Sequence, residues 1–339
     1  MEEQARKLTR RDAIKTGASM MGAFTALGAG TLQAWAQPGA TVSNTTGTSG
    51  GSSQGDDTQW KGVETALGNT KGRVEEGGVF LISLPRKDLN ITISGVPVKP
   101  DTGIEHEITF YGQGSGAIIK YELALLEREV NPVLNALLSQ NLMPATDILT
   151  ALHNHYLEIS PMIMYMHGFI EGDAERVASV LHSVLANNTK TPFGGGDEPP
   201  GNPGFDIHSV EDTVGGDGHL SNGVLEVSVS RSETFREHGI VLPPAMQFQS
   251  TVYFQSLGGQ QAIALGELAV LPDEADAVAR QLHQYGITIT ALHNHELHVQ
   301  PSVYYLHCFG NGPVYRLARG IRAGLNQTKS VFKQSPSTT

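Results

Sequence analysis

The stretch ALHNHYLEISPMIMYMHGF, residues 151–169, returns as ALHNHELHVQPSVYYLHCF at residues 291–309. His153, His155 and His167 fall on His293, His295 and His307, and Tyr165 falls on Tyr305. The positions between them drift: Glu158 faces His298, and Met162 faces Ser302. Agreement at three ionisable positions amid that drift points to chemistry carried by the histidines.

The match extends outward. Val63-Glu64 and Gly68 match Val210-Glu211 and Gly215, and Gly78 through Ser83 and Arg86 match Gly223 through Ser228 and Arg231. Glu122-Leu123-Ala124 matches Glu267-Leu268-Ala269. The offset falls from 147 to 145 to 140, so the copies differ by small deletions of the kind turns tolerate. Two units are too few for a solenoid, and the pattern predicts an internal duplication folded as a pseudo-dimer.

Within a unit, residues 79–84 and 224–229 are β-branched runs, and residues 107–111 and 250–254 alternate. A strand over 117–126 or 262–271 precedes a helix over 130–140 or 274–285, with Pro132 tolerable only in the opening turn. Two strands follow, 148–155 with 162–169 and 287–295 with 302–309, and then a helix over 174–187 or 314–326. The predicted fold class is α+β, two tandem homologous repeats, each a β-hairpin plus a ferredoxin-like βαββα unit.

The predicted organisation is a twin-arginine signal peptide at 1–36, a flexible linker at 37–58 and the first repeat at 59–192. A Gly/Pro linker at 193–204, the second repeat at 205–330 and a tail at 331–339 complete it. Thr9-Arg10-Arg11-Asp12-Ala13-Ile14-Lys15 resembles a twin-arginine export motif, and Ala34-Trp35-Ala36 forms a small-residue cleavage pattern. A periplasmic or secreted product is therefore expected. The apolar stretch between these motifs is too short and too rich in Gly and Ala for a stable span, so the mature chain is expected to have none. A formal net charge of −11 with no basic stripe argues against a nucleic-acid partner. The lone Cys308 excludes an intrachain disulfide and reads as a small buried hydrophobe.

On a strand, residues i and i+2 share a face, about 6.6–6.8 Å apart, so His153 and His155 project together. A hairpin centred near Ser160 would set His153 across from His167 and His155 across from Tyr165, with Cβ atoms about 4.5–5.5 Å apart. Three imidazoles converging on one patch suit zinc or copper, whose bonds to nitrogen are about 2.0–2.1 Å long. The metal ligands expected are His153, His155 and His167 in one repeat and His293, His295 and His307 in the other. The strand bearing Glu122 should lie beside that bearing His167, which makes Glu122 and Glu267 candidate fourth ligands or general bases. Tyr165 and Tyr305 are candidate hydrogen-bond donors to a water on the metal or to substrate. The competing reading is a polar row of histidines that face water or bond to a loop. His106, His182, His219 and His238 lack partners at the matching repeat position and read as surface or local structural residues.

His-Asn-His is not read as an HNH endonuclease signature, since that motif spreads its residues over a ββα unit and the acidic charge opposes DNA. No G-x-S-x-G, H-E-x-x-H or phosphate-cradling loop occurs. The order Glu-Leu-Ala, helix, Ala-Leu-His-Asn-His, then Pro-x-x-x-Tyr-x-His resembles the LppY/LpqO family, a domain of unknown function, over residues 60–188 and 207–327. No lipobox cysteine follows the apolar stretch, so lipoprotein anchoring does not carry over. The resulting expectation is an exported divalent-metal protein, extended to a metal-dependent hydrolase or hydratase. The alternative is a metal-free envelope protein that binds a small molecule or cell-envelope component.

Overall fold

The computed structural model describes residues 57–112, 116–140, 142, 145–196 and 198–333. The twin-arginine motif, the cleavage pattern, positions 37–56 of the first linker and positions 334–339 of the tail lie outside the described residues.

The first repeat runs α1 (Lys61–Ala66), β1 (Arg73–Val74), β2 (Phe80–Pro85), β3 (Ile91–Ile93), β4 (Val96–Val98), β5 (Glu105–Tyr111) and β6 (Ala117–Leu126). It continues with α2 (Glu127–Leu138), β7 (Ala145–His153), β8 (Ile159–Ser160), β9 (Ile163–Gly172) and α3 (Ala174–Asn188). The second follows the same order: α4 (Ile207–Val214), β10 (Asp217–Ser221), β11 (Val224–Val229), β12 (Phe235–Glu237), β13 (Ile240–Leu242), β14 (Ser250–Gly258) and β15 (Gln261–Val270). Then come α5 (Ala275–Gln284), β16 (Thr288–His293), β17 (Val299–Gln300), β18 (Tyr304–Pro313) and α6 (Val314–Leu325). The fold is α+β in two similar repeats.

Each repeat builds a six-stranded antiparallel sheet, in order β1-β2-β5-β6-β9-β7 and β10-β11-β14-β15-β18-β16. β9 lies between β6 and β7 and is antiparallel to both, so β6-α2-β7 is a split βαβ unit. The upstream part is more than the predicted hairpin. β2 and β5 widen the sheet, while the β3-β4 hairpin leaves it and pairs with β8 in a small sheet of three. β12, β13 and β17 repeat that small sheet.

Strand parity sorts the core into layers. Odd positions of β6 (Ile119, Tyr121, Leu123, Leu125) join a cluster with Val133, Leu137, Val177 and Leu181 of the helices. Even positions face the opposite way: Ala124 and Leu126 pack with Ile263, Leu265 and Phe309 of the other repeat. Each sheet is thus covered by its own helices on one face and by the other sheet on the other. The small sheets clamp this arrangement, since Ile91, Ile93 and Ile159 pack on the second repeat's sheet while Phe235, Leu242 and Val299 pack against Ile118 and Phe169 of the first.

The matched arginines explain one misplaced boundary. Buried Arg86 donates to the Ala124 carbonyl (2.6 Å), to both oxygens of Glu129 (2.8 and 3.1 Å) and to Asp88. Glu129 in turn accepts from the Leu126 backbone N–H at 2.9 Å. Arg231, Glu274 and Leu271 repeat the arrangement. This bidentate pair fixes the first turn at Glu127, so α2 starts three residues earlier than predicted and Pro132 is its sixth residue, past the opening turn.

The Gly/Pro stretch 193–204 is tied to both repeats. Lys71 N–H donates to Gly195 O (2.7 Å), Asn222 N–H to Pro199 O (3.0 Å) and Gly223 N–H to Pro200 O (2.7 Å). No helix among the described residues is long and apolar enough to cross a membrane.

Candidate metal centre

Register places the polar row of each sheet on its inner face. In the first repeat Ser83 pairs with Glu107, Glu107 with Glu122, Glu122 with His167 and His167 with Ala151. In the second the row is Ser228, Thr251, Glu267, His307 and Ala291. The predicted neighbourhood of Glu122 and His167 is therefore present, and their Oε2 and Nε2 atoms lie 3.6 Å apart. Glu267 Oε2 and His307 Nε2 are 3.7 Å apart.

The hairpin register differs from the expectation by two residues. His153 pairs with Tyr165, Ala151 takes the place opposite His167, and His155 lies beyond the end of β7. The connection is not a simple turn about Ser160, because β8 within it is drawn off to pair with β3, and β7 carries an irregularity between Asp147 and Ala151. His155 nevertheless meets Tyr165 face to face, with ring centroids 3.4 Å apart.

The larger correction is that the repeats do not hold separate sites. The six histidines meet between the two sheets in one cluster. Tyr165, His155, His307, His293, His153, His167, His295 and Tyr305 form a continuous succession of rings, taken in pairs from alternate repeats. Its closest contacts across the interface are His153–His293 at 3.4 Å, His155–His307 at 3.7 Å and His167–His295 at 3.9 Å. Three overlapping sets have one ligand atom per residue within 4.8 Å of each other. One is His153, His155, His293 and His295. The other two are mirror images, Glu122 with His155, His167 and His295, and Glu267 with His295, His307 and His155. Every set draws on both repeats. A tetrahedral ion with bonds of about 2.0–2.1 Å needs ligand atoms about 3.3 Å apart, so these side chains would draw closer on binding one.

The tyrosines reach the cluster with their rings and not their hydroxyls. Tyr165 Oη donates to Gly103 O at 3.4 Å, and Tyr305 Oη to Gln247 O at 2.6 Å. Their stacking on His155 and His295 orients those imidazoles, so the expected donation to a water or substrate has no support in this geometry.

Eleven ring nitrogens of the six histidines are buried without a hydrogen-bond partner; His155 contributes Nε2 alone and the other five rings contribute both nitrogens. Burial lowers all six imidazoles below the usual histidine range, aided by neighbouring imidazoles at five of them. His153 falls to about 3, and burial alone lowers His293 to about 4. They are neutral at neutral pH, the form that ligates metals. Burial, then Glu267, Glu107 and Glu105, pushes Glu122 well up, and burial with Glu107 and Glu296 raises Glu267 to about 8 against the pull of Lys120.

A small cavity of about 50 Å³, partly open to solvent, adjoins the cluster and includes His155, Glu122 and Glu267 in its wall. Glu105, Glu107 and Glu226 add carboxylates, with Arg73 the basic residue among the lining groups. Sequence reasoning missed these. The signal was parity: Glu105 and Glu107 sit two apart on a strand, in the register of Glu122. It also missed Lys120, two residues before Glu122 on the same face, which is buried beside Glu296 (2.6 Å) and Glu237 (3.5 Å) of the second repeat. His106 is buried, not superficial, and bonds Thr191 Oγ1 at 2.7 Å. His238, which has no histidine counterpart in the first repeat, reaches across to Asp147 of that repeat at 2.8 Å.

No curated protein and no solved structure matches this chain. A family model does, twice: the one described as Domain of Unknown Function (DUF1259) covers residues 61–187 and again 208–327. With both halves of the histidine cluster falling inside those spans, the chain belongs to the DUF1259 family and carries its domain in two tandem copies.

Proposed function

We propose that this protein holds a divalent transition metal, zinc or copper, at the interface of its two repeats. His153, His155, His167, His293, His295 and His307 supply the ligands, and Glu122 and Glu267 supply carboxylates. The observation that carries the reading is the set of eleven unpartnered buried ring nitrogens. Each such group costs about 1–3 kcal/mol if left unsatisfied. Eleven would cost about 11–33 kcal/mol, as much as or more than the net stability of a domain, roughly 5–15 kcal/mol. Ordered water can serve about two to four polar groups at a time. One divalent ion serves four and favours the ionised form of Glu122 and Glu267, which burial opposes.

The cavity beside the cluster supports the extension to a metal-dependent hydrolase or hydratase. It gives a small polar substrate access to the histidine face, and Glu122 and Glu267 in its wall are placed to receive and return a proton. The metal, when bound, would supply Lewis-acid polarisation. Export through the twin-arginine route to the periplasm or beyond is supported by Arg10-Arg11 and the pattern at Ala34–Ala36, and kinship with LppY/LpqO by the Ala-Leu-His-Asn-His cores. Changing Arg10-Arg11 to Lys-Lys should trap the precursor in the cytoplasm, seen by fractionation; normal export of the variant would remove that part.

The central test is metal analysis of protein purified through its native export route, with thermal melts before and after chelation. Stoichiometric zinc or copper and a lower melting temperature after chelation are expected. Protein with no bound metal that gains no stability from either ion would sink the reading. The metal-free binding protein of the envelope would then replace it.

A further inference from the structure

A second histidine group lies at the rim of the interface, outside the central cluster. Asp147 on β7 of the first repeat faces His238 and His298 of the second, and the three offer ligand atoms within 4.8 Å of one another. Asp147 Oδ2 is 2.8 Å from His238 Nε2 and 3.7 Å from His298 Nε2, and the two imidazoles lie 4.6 Å apart, centroid to centroid. Three separate elements bring these residues together. His238 is in the two-residue turn between β12 and β13, where it and Gly239 both have positive φ (49° and 82°), the paired left-handed conformation of a tight hairpin. This turn fixes the direction of its Cβ, and the ring rests against Phe169 at 4.8 Å. His298 lies between His295 of the central cluster and β17, and Asp147 pairs with Phe169 in the sheet.

We infer that Asp147, His238 and His298 form a second site for a divalent transition metal, which fastens the first repeat to the second. Two imidazoles and one carboxylate favour zinc, nickel, cobalt or copper over magnesium or calcium, whose preferred ligands are all oxygen. The shared oxygen, Asp147 Oδ2, already stands at hydrogen-bond distance from one imidazole. The His298 side chain is 54 % exposed, free to close the remaining gap. That exposure also leaves coordination positions to water, so the site should exchange metal more readily than the buried cluster. The duplication did not produce it twice. At the other seam the matching hairpin residue is Ser94, the matching loop residue is Glu158, and the strand residue paired with Phe309 is Thr288. No imidazole is present there.

The inference is independent of the central site, and the experiment keeps the two apart. Metal-stripped full-length protein is titrated with zinc against a chelating indicator, in the wild type, in Asp147→Asn, His238→Ala and His298→Ala, and in the double variant His153→Ala/His293→Ala. Loss of groups merely outside the first ligand shell weakens metal sites about 10–100-fold, so each rim substitution should weaken one zinc equivalent at least about tenfold. The double variant should keep that equivalent. Melts without metal check folding, and Asp147→Asn, nearly isosteric, guards against a misfolded alanine variant. If the rim variants bind as many zinc ions as the wild type, equally tightly, the three residues are an ion pair and the inference is overturned. A double variant that binds no zinc at all overturns it as well.

Discussion

The two seams where one repeat grips the other start from the same topology and end with opposite chemistry. At one, Lys120 of β6 enters the second repeat, with its ammonium group 2.6 Å from Glu296 and 3.5 Å from Glu237, 3.1 Å from the Met246 carbonyl and 4.0 Å above the Phe248 ring. At the other, the matching residue of β15 is Leu265, packed with Ile93 and Tyr156, which stand where Glu237 and Glu296 stand. Three positions changed together, from apolar to ionic or the reverse. The centre did not change: histidine and glutamate occupy the same positions in both copies. The contrast follows from geometry. A seam is closed by one repeat's residue in the other repeat's pocket, so each seam can adopt any self-consistent set. The central cluster lies where the pseudo-symmetric halves meet, and its two flanking sets share His155 and His295. A change in one repeat therefore alters both.

Breaking the ionic seam should have the largest effect. Burial works to lower the pKa of Lys120, and Glu296 and Glu237 more than reverse this, so it stays charged. Lys120→Leu leaves two carboxylates uncompensated and should cost about 3–5 kcal/mol in denaturant unfolding. Burial raises Glu296 to about 7 against the pull of Lys120, and loss of Lys120 raises it further, so the cost of the variant should grow as pH rises and is measured at pH 8 and above. The triple variant Lys120→Leu/Glu237→Ile/Glu296→Tyr copies the apolar seam. It should recover that loss and range from neutral to about 1–4 kcal/mol more stable than the wild type. A triple variant as unstable as the single one would show that the seams are not interchangeable.

The next effect tests the unity of the centre. His153→Ala and His293→Ala come from different repeats yet should weaken the same zinc, each at least about tenfold, because each removes a ligand where even more distant partners are worth about 10–100-fold. The double variant should fall short of the product of the two losses, since coupled ligands are non-additive. Losses that multiply independently, each confined to its own zinc equivalent in a calorimetric titration, would restore two separate sites.

The smallest effect concerns the cavity wall, where Glu105 of the first repeat stands where the second has Gln249. Burial raises Glu105 to about 8, with Glu107 and Glu226 adding to the rise and Ser83 and Arg73 opposing it. The folded protein therefore binds more protons here than the unfolded chain between about 4.5 and about 8. The wild type should lose stability as pH rises through that window. Glu105→Gln removes the titration. In melts with chelator present, the variant should match the wild-type trend near pH 4 and lose less stability as pH rises to 9. Parallel pH profiles for the two proteins would contradict this.

Much of the architecture was legible residue by residue. The strand over 117–126 and the helix that begins at Ala174 appear as the periodicity indicated, and Glu122 does lie beside His167 because β9 adjoins β6. The start of α2 was not legible, because it depends on a carboxylate held by Arg86, distant in sequence. Nor was the place of His155 beyond the strand end, because that follows from the pairing of β8 with β3.

By itself the sequence determined that the chain is a duplication, that each copy carries a strand, helix, two strands and a helix in that order, and which side chains share a face of a sheet. These follow from local repetition and from strand and helix periods, which the backbone imposes within a few residues. Only the tertiary structure decided that the six histidines belong to one cluster, that the tyrosine hydroxyls point elsewhere and that Lys120 and Leu265 fill opposite seams. Period two tells which residues point to the same side of a sheet, and nothing in it tells what lies across the gap. That was set when two inner faces, apolar at their ends, closed on each other and enclosed the polar rows at their centres.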